Sequence, residues 1–431
     1  MARAATTVHP VEYIYAKDDV IKTTISNDGI STAESPESMV YHALKDRASN
    51  IDVTTCEAGE EDAFYVADLG EVYRQHLRWK QNLNRVKPFY AVKCNPDPQV
   101  LKLLAALGTG FDCASKTEID MALETGVDPS RIIYAQPCKT PSYLRHAKSV
   151  GVKMMTFDNS DELRKIKAYY PDAELVLRIL TDDSGSLCRL SAKYGASLNT
   201  ASRLLHLAKD FDLNVIGVSF HVGSGACDPD AYRQAVRDAQ GVFEQAAAVG
   251  HNFKILDIGG GFMDETFEIF ADGINKALNE YFPGPTQIIG EPGRYYVANA
   301  FTLAANVIGR REMQKGRTTK KSYMLYLNDG VYGNFSNIIF DHQHVIPRVL
   351  KTASTSIQQH NYSIWGPTCD GIDVMNDRCS LDGLIDVGDW LYFQHMGAYT
   401  GCSATRFNGF PDNHTVVYVC SEPGAWALLD L

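Results

Sequence analysis

Chemistry-bearing residues stand at regular places along the chain, most of them just after a short apolar run. Lys93 closes FYAV; Asp112 stands in TGFDCAS; QPCK supplies Gln136 to Lys139; and Asp158, Arg178 and His221 follow or close three further runs. A lysine at the end of a buried run pairs with a carboxylate, condenses as an amine with a carbonyl compound, or simply reaches the surface. Gly259, Gly260 and Gly261 follow KILDI. Three glycines after a strand leave backbone N–H groups bare enough to cradle a phosphate, or make a closely packed turn. Arg294, in EPGR (291 to 294), could add a charge-assisted fork to the same anion, with Glu291 beside it. HVGSG adds Ser224 and more glycine, and His221 is either a satisfied core histidine or a flat face for an aromatic ring. A phosphorylated aromatic cofactor would use all of these groups.

Positioning such residues takes a repeated element. From about 86 to 295 the chain repeats one phrase: a short β-branched run, a loop, then a helical segment closed by Gly or Pro. The runs begin FYAVKCN, TGFDCAS, RIIYA, KMMTFD, ELVLRIL, VIGVSFHVG, KILDIGGGF and QIIGEPG, and segments such as PQVLKLLAALG and KTEIDMALETG lie between them. Eight such units predict a (β/α)8 barrel, a TIM-type α/β fold whose functional groups sit at the C-terminal ends of the strands. An open doubly wound sheet is the other arrangement that gives this alternation.

After 295 strands follow without intervening helices, in SYMLYLN, YSIWGP, DWLYFQ and TVVYVC. They predict an all-β domain over 296–431, joined by a strand segment at 61–85 that contains AFYVADL. Residues 1–60, rich in Ser, Thr, Asp and Glu, read as a partly ordered lead-in to that domain. The basic stretch 315–322 reads as a solvated loop. In the β domain GPTCDGID and GAYT are polar loops bracketed by glycine, though Cys369 by itself is an ordinary loop cysteine.

A chain of 431 residues with 45% hydrophobic and 22% charged residues is long enough and apolar enough for a substantial core. Its net charge of −11 and lack of a dense Lys/Arg block argue against nucleic acid and anionic membrane surfaces and suit a small cationic ligand. The ten cysteines include no C-x-x-C pair, which fits neither a zinc site nor a disulfide framework and points to reduced thiols. No metal is expected. With no secretory-type apolar region at MARAATTVHP and no run long enough to span a bilayer, the expected location is the cytoplasm.

Taken together and in order, FYAVKCN, LGTGFDCASKTEI, QPCK, SFHVGSGA, DIGGGF, EPGRYYV, NDGVYGNF, FDHQH, GPTCDGID, MGAYT and FNGF resemble the eukaryotic ornithine decarboxylase family, fungal members included. The likeness runs from about 60 to 425. It implies the alanine-racemase-like barrel joined to a β domain, and pyridoxal 5′-phosphate as cofactor in the decarboxylation of L-ornithine to putrescine for polyamine synthesis. By this resemblance Lys93 holds the cofactor covalently and His221 stacks on its ring. Glu291 pairs with the ring nitrogen, and Ser224, Gly260, Gly261, Pro292, Gly293, Arg294 and Tyr399 complete the cofactor contacts. Asp112, Glu118 and Arg178 form the polar shell near Lys93.

The resemblance also assigns Phe340, Asp341 and Asp370 to the substrate, the two carboxylates facing its distal ammonium, and Cys369 to reprotonation of the α-carbon. It implies a homodimer with shared active sites, Cys369 and Asp370 coming from the partner, and an antizyme-like regulator. Two positions depart from the family pattern: Val374 replaces an expected polar residue, and Arg406 stands beside Phe407 where a small Thr is expected. They leave room for a paralogous decarboxylase of a related or N-substituted basic amino acid. A non-catalytic, regulator-binding homologue is a third reading, opposed by the retained Lys93, Cys369 and Asp370.

Overall fold

The computed structural model describes the backbone of residues 8–15 and 20–26, and residues 34–226, 228–313, 322–352, 358–412 and 414–429. The basic stretch 315–322, apart from Ser322, lies outside them. The chain forms two compact units, one of residues 74–296 and one built from 1–73 with 297–431.

The first unit is a closed barrel of eight parallel strands: Val86–Ala91, Gly110–Cys113, Ile132–Tyr134, Met154–Phe157, Glu174–Arg178, Asn214–Ser219, Ile255–Asp257 and Gln287–Gly290. These are the eight apolar runs of the sequence, and the open-sheet alternative falls because the last strand pairs with the first, Ile288 opposite Val86. Phe89, Ile133, Met154, Val176, Ile216, Ile255 and Ile289 fill the interior. Their bulk makes the barrel a packed core with no pore.

Helices return the chain between strands, and their ends are written locally. The Asp97 carboxylate accepts the Gln99 and Val100 N–H groups at 2.9 and 3.1 Å ahead of Pro98, which needs no N–H partner. At the far end of Pro229–Val249, Gly250 takes φ 88° as a left-handed cap, a conformation that costs glycine little.

The second unit is a ten-stranded sheet. Phe64–Asp68 runs in its middle, antiparallel to Phe301–Met313 and parallel to Thr415–Val419, so the sheet takes in the N-terminal segment. Within the stretch read as a partly ordered lead-in, the helix Pro36–Ser49 buries Ala43, Leu44 and Ala48 against Phe64, Val66, Leu350, Trp390 and Val417. Strands Val8–Tyr15 and Val20–Ser26 add a hairpin beside Thr415–Val419.

Candidate active site

Most barrel residues singled out from the sequence lie at or just beyond the C-terminal end of a strand; Glu118 is in the first turn of the helix Lys116–Glu124. Lys93 sits in the one-turn segment Val92–Cys94 after the first strand. Its ammonium pairs with the wholly buried Asp112 of the second strand, yet its side chain stays 44% exposed. That combination holds the amine in place while leaving it within reach of an incoming carbonyl. Asp112 Oδ1 has no hydrogen-bond partner among the described residues, so the carboxylate has capacity for a further donor.

Glu118 accepts the Ala114 N–H at 2.6 Å, and burial followed by the nearby Asp112 charge pushes its carboxyl above the usual range. Glu291 is pushed well above it by burial, then by Asp112 and Asp257, with Lys93 pulling the other way. Asp257 itself rises to about 7, chiefly through burial. Both carboxyls are thus biased toward their protonated forms. The cause is the cost of placing several anions in one dry space beside a single ammonium.

His221 follows the strand Asn214–Ser219. Its Nδ1 accepts the Gly223 N–H at 3.0 Å, which fixes the ring, and burial, Arg178 and Lys93 together lower its pKa to about 3. It is a neutral, oriented ring at physiological pH. Arg178 ends its own strand and lies over the ring of Tyr194 at 5.5 Å, whose hydroxyl accepts Gln136 Nε2 at 3.0 Å. Lys139, from the same QPCK stretch, is buried against Glu162 at 3.0 Å and donates to the Thr156 carbonyl at 2.6 Å, an interior fastening.

The triple-glycine loop packs against this set. A Cβ on Gly260 would lie 2.8 Å from the Glu291 carbonyl oxygen and 2.9 Å from His221 Nε2; one on Gly261 would lie 2.7 Å from the Gly223 carbonyl oxygen. Only glycine permits this approach. The backbone N–H groups of Gly260 and Gly261 have no hydrogen-bond partner among the described residues. Ser224 opens the short strand Ser224–Ala226, paired with Ser186–Cys188. Pro292 accepts the Ala91 N–H at 3.1 Å, and a Cβ on Gly293 would meet that of Cys94 at 2.9 Å, which presses the EPGR turn onto the turn bearing Lys93. Arg294 begins the one-turn helix Arg294–Val297.

The sheet unit gathers a second set. The Tyr332 hydroxyl donates to Asp370, and its ring stacks on Phe407 at 4.4 Å. Asp370 also accepts the Ile372 N–H at 3.1 Å, and these hydrogen bonds lower its pKa. Cys369 is exposed, with its N–H on Asn408 Oδ1 at 3.2 Å. Asp341 is buried behind Phe340, which is 61% exposed. Tyr399 takes φ 56°, and the carbonyl of its neighbour Thr400 accepts the Ser336 hydroxyl at 2.9 Å.

An open cradle of N–H groups, a reachable lysine, a neutral ring face and a buried carboxyl at Glu291 fit a phosphorylated pyridoxal compound. Residues 69–298 match the family described as pyridoxal-dependent decarboxylase, pyridoxal binding domain. The chain belongs to the pyridoxal-dependent decarboxylases.

Among relatives of this decarboxylase, ornithine decarboxylase of Neurospora crassa is 59% identical over 425 residues, covering 91% of this chain and 88% of that protein. Antizyme inhibitor 2 of Xenopus laevis is 51% identical over 385 residues, 86% of this chain and 84% of its own. The crystal structure of Paramecium bursaria Chlorella virus arginine decarboxylase superposes with a TM-score of 0.78 at 40% identity, covering 83% of this chain and 96% of that one. The cofactor of the decarboxylase is pyridoxal 5′-phosphate.

The two departures from the expected pattern lie next in the chain to the Asp370 and Phe407 loops, with their own partners. Val374 opens a strand and pairs in register with Trp365. Arg406 is 80% exposed and donates to Asp412 at 2.8 Å, so its charge is spent on a neighbour facing solvent. Tyr194, Tyr232, Asp257 and Tyr332 were not marked in the sequence, where each reads as an ordinary helix, strand or loop residue.

Proposed function

We propose that this protein removes CO₂ from L-ornithine to give putrescine, the entry step of polyamine synthesis. The observation that carries the reading is Lys93, a reachable ammonium in a ring of buried carboxylates beside a glycine cradle. Bound pyridoxal 5′-phosphate supplies a conjugated ring that accepts the electron pair left by departing CO₂. The chain's residues do the rest. Lys93 holds the cofactor covalently and yields it to the incoming amine; Asp112 orients the Lys93 ammonium. Glu291 pairs as a carboxylate with the ring nitrogen and keeps it protonated, and His221 covers the ring face without adding charge.

Ser224, Gly260, Gly261, Pro292 to Arg294 and Tyr399 hold the remaining cofactor groups. Asp341 and Asp370 take the distal ammonium of the substrate, since a desolvated cation needs charged partners, and Phe340 lies against the chain between. Cys369 Sγ returns a proton to the α-carbon. The working unit is a homodimer in which Cys369 and Asp370 serve the partner's barrel. The large apolar side chains that one chain leaves exposed in the sheet unit, Ile339, Phe340, Ile346 and Ile372, support such an interface.

An antizyme-like protein is the regulator this reading expects, supported by the likeness to antizyme inhibitor 2. The cytoplasm is the inferred location: the nine described cysteines are free, as a reducing compartment keeps them.

The test is CO₂ release by purified, cofactor-loaded protein offered ornithine, lysine, arginine and an N-alkylated diamino acid in parallel. Ornithine should turn over with the highest kcat/KM. Faster turnover of any other substrate, or none at all with the cofactor bound, would overturn the assignment.

A further inference from the structure

Three glycines in succession have no side chains to hold their peptide planes, so something outside the loop must decide which way each N–H points. Two groups of Gly259 are held: its N–H donates to Asp257 Oδ1 at 2.9 Å, and its carbonyl accepts the Glu291 N–H at 2.7 Å. The Gly260 carbonyl accepts the hydroxyl of Tyr232 at 2.7 Å. The N–H groups of Gly260 and Gly261 are left without a hydrogen-bond partner among the described residues.

Tyr232 is fully buried in the helix Pro229–Val249, its ring wedged among Phe220, Phe262 and Phe270 at centroid distances of 6.4, 5.6 and 5.8 Å. Its hydroxyl is the polar end of an otherwise apolar cluster, aimed at one peptide. In a trans peptide the C=O of one residue and the N–H of the next point in opposite directions. Tethering the Gly260 carbonyl from the inside therefore turns the Gly261 N–H outward.

We propose that Tyr232 is a positioning residue for the cofactor phosphate: it sets the Gly260–Gly261 peptide so that the Gly261 N–H faces the phosphate before the cofactor arrives. The proposal rests on the reading of the glycine loop as the phosphate cradle. Without the hydroxyl the peptide is free to rotate, since glycine tolerates both orientations. Binding of a phosphorylated ligand then has to order the loop as it binds.

The experiment compares full-length wild-type and Tyr232→Phe proteins, both stripped of cofactor. Each is titrated with pyridoxal 5′-phosphate and separately with pyridoxal, which has the ring and aldehyde but no phosphate, and followed by the absorbance of the bound ring. The expected result is an affinity for pyridoxal 5′-phosphate about five- to tenfold weaker in the variant, the scale of one lost hydrogen bond, with pyridoxal binding unchanged. The preference for the phosphorylated form shrinks by the same factor.

Equal preference in the two proteins would overturn the role of Tyr232, even with a lowered melting temperature, because a purely structural loss weakens both ligands alike. A wild-type protein that binds pyridoxal as tightly as its phosphate would instead overturn the cradle reading itself. The ³¹P resonance of the bound cofactor gives a second readout. It should hold one position across pH in wild type and move with pH in Tyr232→Phe; identical behaviour in both counts against the proposal.

Discussion

Lys93 and Asp370 are both charged residues on loops, but their surroundings ask different things of them. Lys93 is paired with a buried carboxylate at the barrel mouth, so Lys93→Ala should abolish the absorbance of the bound cofactor ring and CO₂ release together; retained turnover would remove it from the covalent role. Asp370 is held by Tyr332 and kept ionised by its hydrogen bonds. Asp370→Ala should raise KM for ornithine about tenfold or more while leaving cofactor affinity unchanged, because one partner of a desolvated ammonium is lost. An unchanged KM would take Asp370 out of the substrate site. At this scale the sequence was readable where glycine, lysine or acidic residues stood in loops after apolar runs. Tyr232 escaped because an aromatic on the inner face of a helix reads as core, and only the packed structure shows where its hydroxyl ends.

Elements were legible in proportion to their periodicity. All eight barrel strands were marked by short apolar runs, since strands buried on both faces need continuous apolar sequence. The helix Pro36–Ser49 was not, because its buried stripe is narrow and partly made of small residues, Ala43, Leu44 and Ala48. The strand Phe301–Met313 was missed for another reason: buried at its start and exposed toward its end, it shows no single period. Leu44 is wholly buried in the sheet unit's core. Leu44→Ala should therefore destabilise that unit by about 2–4 kcal/mol, seen as a lowered midpoint in denaturant unfolding; a midpoint within error of wild type would show that the helix is not part of the core.

The helix Leu69–Asn82 carries a titration. His76 is buried with Nδ1 3.0 Å from the Tyr296 hydroxyl, and burial lowers its pKa from 6.5 to about 4. Between those values the unfolded chain takes up a proton that the folded chain refuses, so this residue makes stability fall as pH drops from about 6.5 to 4 and rise again on return. Melting temperatures of His76→Gln measured across that range should fall less steeply toward acid than those of wild type. Parallel curves would mean that His76 titrates normally.

At the scale of the molecule the proposal of shared sites makes an arithmetical demand. Lys93→Ala and Cys369→Ala proteins, each nearly inactive, should recover activity when mixed and allowed to exchange chains. Random pairing makes half the dimers mixed, each with one intact site of two, so about one quarter of wild-type activity is expected. No recovery would mean that each chain completes its own site. Composition and charge point to a globular chain suited to a small cationic ligand, but nothing in a linear sequence marks which loop serves another copy.

The strand Phe64–Asp68 lies between Phe301–Met313 and Thr415–Val419, with the entire barrel threaded through the chain between them. During synthesis the barrel's residues all emerge before either of that strand's neighbours exists. The strand and the helix ahead of it must therefore wait on the ribosome with their apolar faces uncovered, while a barrel of sequential, parallel neighbours is free to close. A chaperone that attends this nascent chain has its longest task at the N-terminal end, and release comes only when the last strand arrives to dock beside the first.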